Sequence, residues 1–439
     1  MKLLLKFQVP QIMPKVLIIT YYWPPAGGSG VQRWLKFTKY LPLFGYEPIV
    51  LTVKPEDAAY PFTDYSLSKD VSPEVKVYRT KSFNPISLGT KMLGKSSAPT
   101  AGFASGNSKK LSTRLTLWLR THLFIPDPRR GWNCFAYNEA KKLVEQFNPD
   151  VVITTGPPHS THLIGKKLKK RFNIKWVADF RDPWTDIYYY NLLGHSSVSM
   201  YIDKKYEKCV LHDADGVVSV SQNLVNLLKS KVIADQNKPF KVIPNGFDPE
   251  DFTVRNAPAS SDVFRITYLG TIAQQYNPVS FFDTVRDLKE NGLPIRLRFV
   301  GLVSDEVKGV LNQFGLLPIC EFFDAVNHSE VPKFLTESHA LLLVIPQTEH
   351  DKGILTGKLF EYLASYRPII AIGPAHGDAA EIINRCRAGK MFSRDDVQGL
   401  KEFIKALFNN NIHEPDFDAI NLFSRKNQSQ QLADFLNAL

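Results

Sequence analysis

Short apolar runs alternate with amphipathic stretches along almost the whole sequence. Continuous apolar runs are typical of strands buried on both faces of a parallel sheet, and the stretches between them place apolar residues at helical spacing. The pattern predicts an α/β protein with parallel sheets flanked by helices. The predicted strands are 16–20, 48–53, 75–79, 151–155, 175–179, 216–220, 241–244, 264–270, 295–301, 319–324, 340–345 and 368–373, and the predicted helices include 131–147, 161–171, 200–212, 222–231 and 423–439.

The polar segment 253–262 divides this alternation into two series. A chain of 439 residues is too long for one simple core. We therefore expect two doubly wound, Rossmann-like domains, an N-terminal one over 1–250 and a C-terminal one over 263–419. Ligands of such sheets bind at the carboxyl ends of the strands, so a cleft between the domains is the expected site.

The formal net charge is +11, from 54 basic and 43 acidic residues. This excess favours a phosphorylated substrate or an anionic lipid as partner, and no motif typical of nucleic-acid binding is found. The four cysteines are scattered without metal-ligand spacing, which predicts reduced thiols in a cytoplasmic protein. No apolar run approaches the ~20 residues of a membrane-spanning helix. The first residues are too interrupted for a signal peptide, and either Met1 or Met13 is the expected start.

A basic, aromatic stretch at 111–124 follows a segment rich in Ser, Gly, Lys and Thr. Such a stretch could lie on an anionic membrane surface. It could equally form a helix packed on its own domain. The sequence leaves both interpretations open.

Gly28, Ser29 and Gly30 follow the first predicted strand and precede a predicted helix. The free N–H groups of such a loop and the helix dipole both favour an anion. The spacing matches neither the dinucleotide-binding fingerprint nor a P-loop. The sequence predicts a phosphate site here, with a tight turn that merely requires glycine as the alternative.

Lys358 and Glu361 lie at the start of a predicted helix that ends before Pro368. A cation in the first helical turn opposes the dipole, and a bound anion would remove that penalty. Three residues apart, the two side chains share a helix face. Lys358 is therefore a candidate for binding a diphosphate, and Glu361 could accept hydrogen bonds from a ribose. The alternative is an ordinary exposed ion pair.

Candidate polar residues also follow predicted strands of the first domain. His159 could donate a hydrogen bond to a sugar or acceptor, and Asp182, or else Asp179, could orient or deprotonate an acceptor hydroxyl. Arg33 and Arg181 are candidates for binding the acceptor or its phosphate. The alternative for each is a hydrogen bond that caps a helix or stabilises a loop.

The motif Asp213-Ala214-Asp215 has the form of a metal-binding Asp-x-Asp pair. It closes a predicted helix directly before a strand, a position that favours capping. No other carboxylate or histidine cluster has metal-ligand spacing. We therefore expect no metal site and no cofactor.

Together, the segments 21–33, 243–248 and 358–373 resemble the retaining glycosyltransferases of family 4, which have the GT-B fold. The resemblance covers nearly the whole chain. It implies a nucleotide-sugar donor held mainly on the second domain, an acceptor on the first, no metal ion, and a final helix at 420–439 that returns to the first domain. It also implies that Gly28, Ser29 and Gly30 face the donor diphosphate and that Glu361 binds the ribose.

The sequence departs from this family pattern at two places. Gly353 stands where the family has a sugar-binding glutamate, eight positions before Glu361, and Glu349, His350 or Asp351 could substitute for it. Segment 271–275 lacks the arginine and lysine that many members use to hold the phosphates. Lys358 and the glycine-loop amides would then neutralise most of the diphosphate charge.

These observations predict a retaining, metal-independent glycosyltransferase that acts on a glycan or lipid-linked acceptor in polysaccharide or glycoconjugate biosynthesis. We expect a cytoplasmic protein, with peripheral contact at an anionic membrane surface. Two alternatives stay open: a nucleotide-sugar epimerase of the same architecture, and a GT-B binding module without catalytic activity.

Overall fold

The computed structural model describes residues 13–83, 124–232, 238–252, 263–411 and 414–439. Within them, the first domain contains a seven-stranded, fully parallel sheet in the order β3-β2-β1-β4-β5-β6-β7. The chain reverses its winding direction between β1 and β4. The strands are β1 Lys15–Ile19, β2 Glu47–Val53, β3 Lys76–Thr80, β4 Val151–Gly156, β5 Lys175–Phe180, β6 Gly216–Ser219 and β7 Phe240–Val242.

Helices cover both faces of this sheet, because each central strand is apolar on both sides. Leu17 and Ile19 pack into one layer of the core, whereas Val16 and Ile18 pack into the other. All four side chains are fully buried. The helices are α1 Ser29–Tyr40, α2 Asn133–Phe147, α3 His162–Phe172, α4 Ser197–Asp213 and α5 Gln222–Ser230.

The described part of the second domain repeats this plan with a six-stranded parallel sheet in the order β10-β9-β8-β11-β12-β13. Its strands are β8 Phe264–Leu269, β9 Ile295–Val300, β10 Cys320–Phe323, β11 Ala340–Val344, β12 Ile369–Ile372 and β13 Gly389–Phe392. Its helices are α6 Val279–Glu290, α7 Asp305–Gln313, α8 Val331–Thr336, α9 Gly357–Ser365, α10 Asp378–Arg385, α11 Val397–Phe408 and α12 Phe417–Asn421.

The final helix, α13 (Arg425–Asn437), returns to the first domain and packs against α1. Leu432 and Leu436 belong to the same core layer as the first-domain strands. The chain thus crosses between the domains twice, and the two crossings pair where the Phe247 N–H donates to the Phe423 carbonyl at 3.2 Å. The predicted pair of doubly wound domains and the predicted returning helix are confirmed.

Besides small shifts of element ends, two details differ from the sequence-based assignment. Strand β13 is absent from it, because Gly-Lys-Met-Phe is short and carries a glycine and a charge. The last helix begins at Arg425 rather than at 423, since Ser424 caps it by accepting a hydrogen bond from the Asn427 N–H. The predicted basic stretch at 111–124 lies, apart from its final residue, outside the described residues. No helix among the described residues is long and apolar enough to cross a membrane.

Candidate active site

The two domains face each other across a cleft of about 1220 Å³. Its walls are formed by the residues that follow β1, β4 and β5 in the first domain and β8 and β11 in the second. These are the carboxyl ends of strands on both sides of each winding reversal, where doubly wound sheets bind ligands. The cleft is therefore the candidate active site.

The glycine loop lies on the first-domain wall. Gly28 and Gly30 line the cleft, and Ser29 is the first residue of α1. Gly28 adopts a φ of 100°, a conformation that glycine tolerates without strain. Because no acidic residue lies in the first turn of α1, its dipole is not offset there. This geometry is suited to an anion entering from the cleft.

Arg33 does not reach the cleft, which corrects its interpretation as a phosphate-binding residue. Its side chain is fully buried and pairs with Asp179, with 3.0 Å between Nη2 and Oδ1. Its Nη1 also donates to the Ile243 and Pro244 carbonyl oxygens at 2.9 Å. Arg33 thus ties α1 to β5 and to the first crossing between the domains.

Asp179 is equally buried and is not available to an acceptor. Burial opposes its ionisation, but the positive charges of Arg33 and Arg181 hold the pKa of Asp179 below its ordinary value. Its Oδ2 also accepts hydrogen bonds from Trp34 Nε1 at 2.9 Å and Thr155 Oγ1 at 2.8 Å. Asp179 is a structural carboxylate.

Arg181 lines the cleft, but its guanidinium already donates hydrogen bonds to backbone carbonyl oxygens. It donates to Gly30 at 2.6 Å, to Gly156 at 3.2 Å and to Pro157 at 2.5 Å. Burial lowers its pKa. Arg181 therefore holds the glycine loop against the end of β4 and contributes positive charge to the cleft, rather than offering an open fork to a phosphate.

His159 lies behind the cleft wall, since Pro157 lines the cleft and His159 does not. Its ring is buried and stacks on Trp184, with 4.9 Å between the ring centroids. Burial, followed by the nearby charges of His162 and Arg181, holds the pKa of His159 well below its usual range, so the imidazole is neutral. Its position does not support direct contact with a substrate.

Asp182, in contrast, lines the cleft, and its carboxylate accepts no hydrogen bond from the residues that the structure describes. Burial raises its pKa above the ordinary value, and the charge of Arg181 opposes that shift. The loop that carries it is anchored because Trp184 Nε1 and Tyr190 OH both donate to Asp203 of α4, at 2.7 and 2.8 Å. A fixed, unpartnered carboxylate in a cleft is suited to binding or deprotonating a hydroxyl.

Lys358 is held at the start of α9, on the second-domain wall. Its Nζ donates to Tyr268 OH at 2.6 Å, and lies 4.2 Å from the Tyr268 ring centroid and 5.9 Å from that of Tyr276. No carboxylate lies within ion-pair distance of Nζ among the described residues. Burial consequently lowers the pKa of Lys358 to about 7, although Glu361 opposes the shift. An anion bound in the cleft would supply the counterion that Lys358 lacks among the described residues.

The N-terminus of α9 adds backbone donors beside this lysine. Thr356 and Gly357 line the cleft, and no side chain caps the helix. The buried Thr356 Oγ1 has no hydrogen-bond partner among the described residues. Lys358, the helix dipole and the free N–H groups thus converge on one place, an arrangement typical of anion sites.

Glu361 lies one helical turn further along α9 and also lines the cleft. Its Oε1 is 3.8 Å from His328 Nδ1. Burial raises the pKa of Glu361, and His328 and Lys358 oppose the shift. The structure therefore places Gly28, Gly30, Asp182, Lys358 and Glu361 around one cleft.

Gly353 lies at the contact between the domains. Its carbonyl oxygen accepts a hydrogen bond from Ser221 Oγ at 2.8 Å, and a Cβ added there would lie 3.3 Å from Asn223 Cβ. Of the three suggested substitutes for the family's glutamate, Glu349 and His350 line the cleft. Asp351 is not among the lining residues.

Sequence reasoning missed the residues that surround Lys358 and Glu361, namely Tyr268, Tyr276, His328 and Asp251. Tyr268 is the next-to-last residue of a buried strand, so the sequence pattern predicts a core residue there. His328 and Asp251 are contributed by separate turns. Their only signal in the sequence is that each is a titratable residue close to a predicted strand end or domain boundary.

Asp213 and Asp215 bind lysines of α3 rather than capping a helix. Asp213 lies 3.1 Å from Lys166, and Asp215 pairs with Lys169. Asp215 also accepts a hydrogen bond from the Trp176 N–H at 2.8 Å. These contacts attach α3 to the end of α4 and to β5.

Comparison with family models gives a match for residues 101–251 to Glycosyltransferase Family 4. The match covers about a third of the chain. The matched segment contains β4, β5 and the cleft-lining loop with Asp182. The family 4 resemblance inferred from the sequence, and with it the class of glycosyltransferases, is confirmed.

Solved structures share the fold over nearly the whole chain. Sucrose-phosphate synthase from Thermosynechococcus elongatus is 13% identical with a TM-score of 0.63, covering 97% of this chain and 98% of its own. A glycosyltransferase from Rickettsia africae is 16% identical with a TM-score of 0.63 and the same coverage. HepE from Anabaena, solved with UDP and glucose, is 12% identical with a TM-score of 0.61, covering 97% and 100%. These likenesses confirm the predicted GT-B architecture. No curated protein matches the sequence.

Proposed function

We propose that this protein transfers a sugar from a nucleoside diphosphate sugar to an acceptor, with retention of the anomeric configuration and without a metal ion. The observation that carries the proposal is the convergence of Lys358, which has no counterion, with the uncapped start of α9 in the interdomain cleft. A diphosphate bound there would restore the charge of the lysine and satisfy the free N–H groups.

Residues of both walls complete the donor site. Gly28 and Gly30 would approach the diphosphate from the first domain, and Glu361, on the same helix as Lys358, would accept hydrogen bonds from the ribose. Stabilisation of the departing nucleoside diphosphate is then the main catalytic contribution. In the absence of the usual arginine and lysine after β8, Lys358 is the cation that the described second-domain residues contribute to the cleft lining. HepE, whose structure contains UDP, supports a nucleotide as the ligand class.

The acceptor would lie against the first domain, beside Asp182. This wall combines apolar and aromatic side chains, Phe62, Tyr188 and Met200 among them, with polar and charged ones. Such a surface suits a glycan or lipid-linked acceptor that has both an apolar part and hydroxyl groups. Synthesis of a polysaccharide or glycoconjugate, in the cytoplasm or at the surface of a membrane, fits that combination.

The proposal is tested with a panel of uridine, guanosine and thymidine diphosphate sugars. We expect one of them to raise the melting temperature and, with acceptor, to release nucleoside diphosphate in the presence of a chelator. Nuclear magnetic resonance of the product would show a retained anomeric configuration. Conversion of the sugar in the absence of any acceptor would overturn the proposal in favour of an epimerase, and neither binding nor release would favour a binding module.

Replacing Asp182 with asparagine should lower turnover about 10²–10⁴-fold while leaving nucleotide affinity unchanged, because the carboxylate acts on the acceptor hydroxyl. In the wild type, activity should fall as the pH drops through the pKa of Asp182, which lies above its ordinary value. Steady-state kinetics and calorimetry measure the two effects. Asp213→Asn, which changes a carboxylate paired with Lys166 outside the cleft, is the control. Equal loss in both variants would contradict the assignment.

A further inference from the structure

A row of charged side chains connects the two halves of the proposed donor site, and two of its members, His328 and Glu361, line the cleft. It begins at Lys36 of α1, the helix that starts in the glycine loop, and ends at Glu361 of α9. Lys36 Nζ lies 3.2 Å from Asp251 Oδ1, and Asp251 Oδ2 lies 3.1 Å from His328 Nε2. His328 Nδ1 in turn lies 3.8 Å from Glu361 Oε1. One imidazole therefore stands between two carboxylates, one of which faces the cleft.

The backbone around His328 is fixed independently of a ligand. His328 opens a short 3-10 turn, and the Glu330 carboxylate accepts a hydrogen bond from the Asn327 N–H at 3.2 Å. Asp251 belongs to the turn Pro249–Phe252 in the first crossing between the domains. The His328 side chain is 16% exposed and the Asp251 side chain 20%, so water only partly screens their interaction.

The groups that face His328 are Asp251, Glu361 and Lys36. Burial opposes its protonation, but the hydrogen bond to Asp251 and the charge of Glu361 raise its pKa above the ordinary value. The imidazolium donates from both ring nitrogens, whereas a neutral ring donates from one. The protonated ring is thus the form that satisfies both carboxylates at once.

We propose that His328 is a positioning residue that links Asp251 to Glu361 and holds the Glu361 carboxylate toward the ribose of a bound nucleoside diphosphate. This rests on the proposed function, because Glu361 is assigned to the ribose there. The link also joins the ribose-binding carboxylate to the crossing between the domains and, through Lys36, to the helix of the glycine loop.

The first test needs no ligand. Histidine-labelled protein is titrated by nuclear magnetic resonance, and the His328 signal is assigned by its loss in His328→Gln. Asp251→Asn and Glu361→Gln should each lower the pKa of His328, because each removes a negative charge that favours the imidazolium. An unchanged pKa in both variants would overturn the link, whether or not the protein binds nucleotides.

The second test separates positioning from general damage to the site by comparing UDP with inorganic diphosphate, which has no ribose. His328→Gln should weaken UDP binding about tenfold, the lower end of the loss seen when the hydrogen-bond partner of a metal ligand is removed, and leave the binding of inorganic diphosphate unchanged. His376→Gln, at an exposed histidine outside the cleft lining, is the control. Equal weakening of both ligands, or of neither, would overturn the positioning role. If the wild type binds inorganic diphosphate but none of UDP, GDP and TDP, the proposed function fails, and the titration still decides the link.

Discussion

Asp179→Ala is expected to lower the free energy of unfolding of the first domain by about 3–5 kcal/mol, because it leaves the Arg33 guanidinium buried without a counterion. Both side chains are 0% exposed. The substitution also removes the acceptor for Trp34 Nε1 and Thr155 Oγ1. Three buried side chains in the centre of the domain, those of Arg33, Trp34 and Thr155, thus depend on one carboxylate.

Urea unfolding followed by tryptophan fluorescence measures this effect, since all six tryptophans of the sequence precede the polar segment at 253–262 and report on the first domain. The double variant Arg33→Met with Asp179→Leu removes both charges and should be more stable than Asp179→Ala alone. A loss below about 1 kcal/mol in Asp179→Ala, or a double variant no more stable than it, would contradict a buried ion pair that needs both partners.

The strands could be predicted because a parallel sheet covered on both faces requires continuous apolar runs. The glycine loop and the start of α9 could be predicted from local features. Lys358 opposes the helix dipole unless an anion is present, and the glycines permit the positive φ that Gly28 adopts. Local patterns of this kind are visible in a single sequence.

The roles of Arg33 and His159 could not be predicted, because their environments are created by distant parts of the chain. Arg33 finds Asp179, 146 positions away, and two carbonyl oxygens more than 200 positions away. α1 is buried on a second side because α13 returns from the end of the chain to cover it. Helical spacing within α1 gives no sign of that second contact, so the sequence predicts a site role for Arg33, which directly follows the cleft-lining Gln32.

The contacts of Gly353 could not be predicted for the same reason. Counting eight positions back from Glu361 shows that Gly353 stands where the family has a glutamate. The count does not show which residues of the first domain contact that position. The Gly353 carbonyl oxygen lies on the N-terminal end of α5, whose Asn223 N–H is also bound by Asp378 of the second domain at 3.0 Å. A backbone contact between domains occupies this position, and Glu349 and His350 are the residues nearby that line the cleft.

The second large effect is expected at Lys358, whose protonation should change when a diphosphate binds. In the free protein, the amine near Tyr268 and Tyr276 has a pKa of about 7 and is mostly neutral above that pH. A bound diphosphate favours the ammonium, so binding at pH 8 should take up a proton. The affinity should fall as the pH rises from 7 toward 9. Calorimetry in two buffers of different ionisation enthalpy measures the number of protons taken up on binding.

Lys358→Met should therefore lower nucleotide release about 10²–10³-fold, the loss typical when one preorganised donor to a developing anion is removed, and should reduce proton uptake at pH 8. Both UDP and inorganic diphosphate should bind more weakly, because Lys358 acts on the phosphates rather than on the ribose. Lys352→Met, at an exposed lysine of the turn before α9, is the matched control. Undiminished turnover in Lys358→Met would contradict the assignment of Lys358 to the diphosphate.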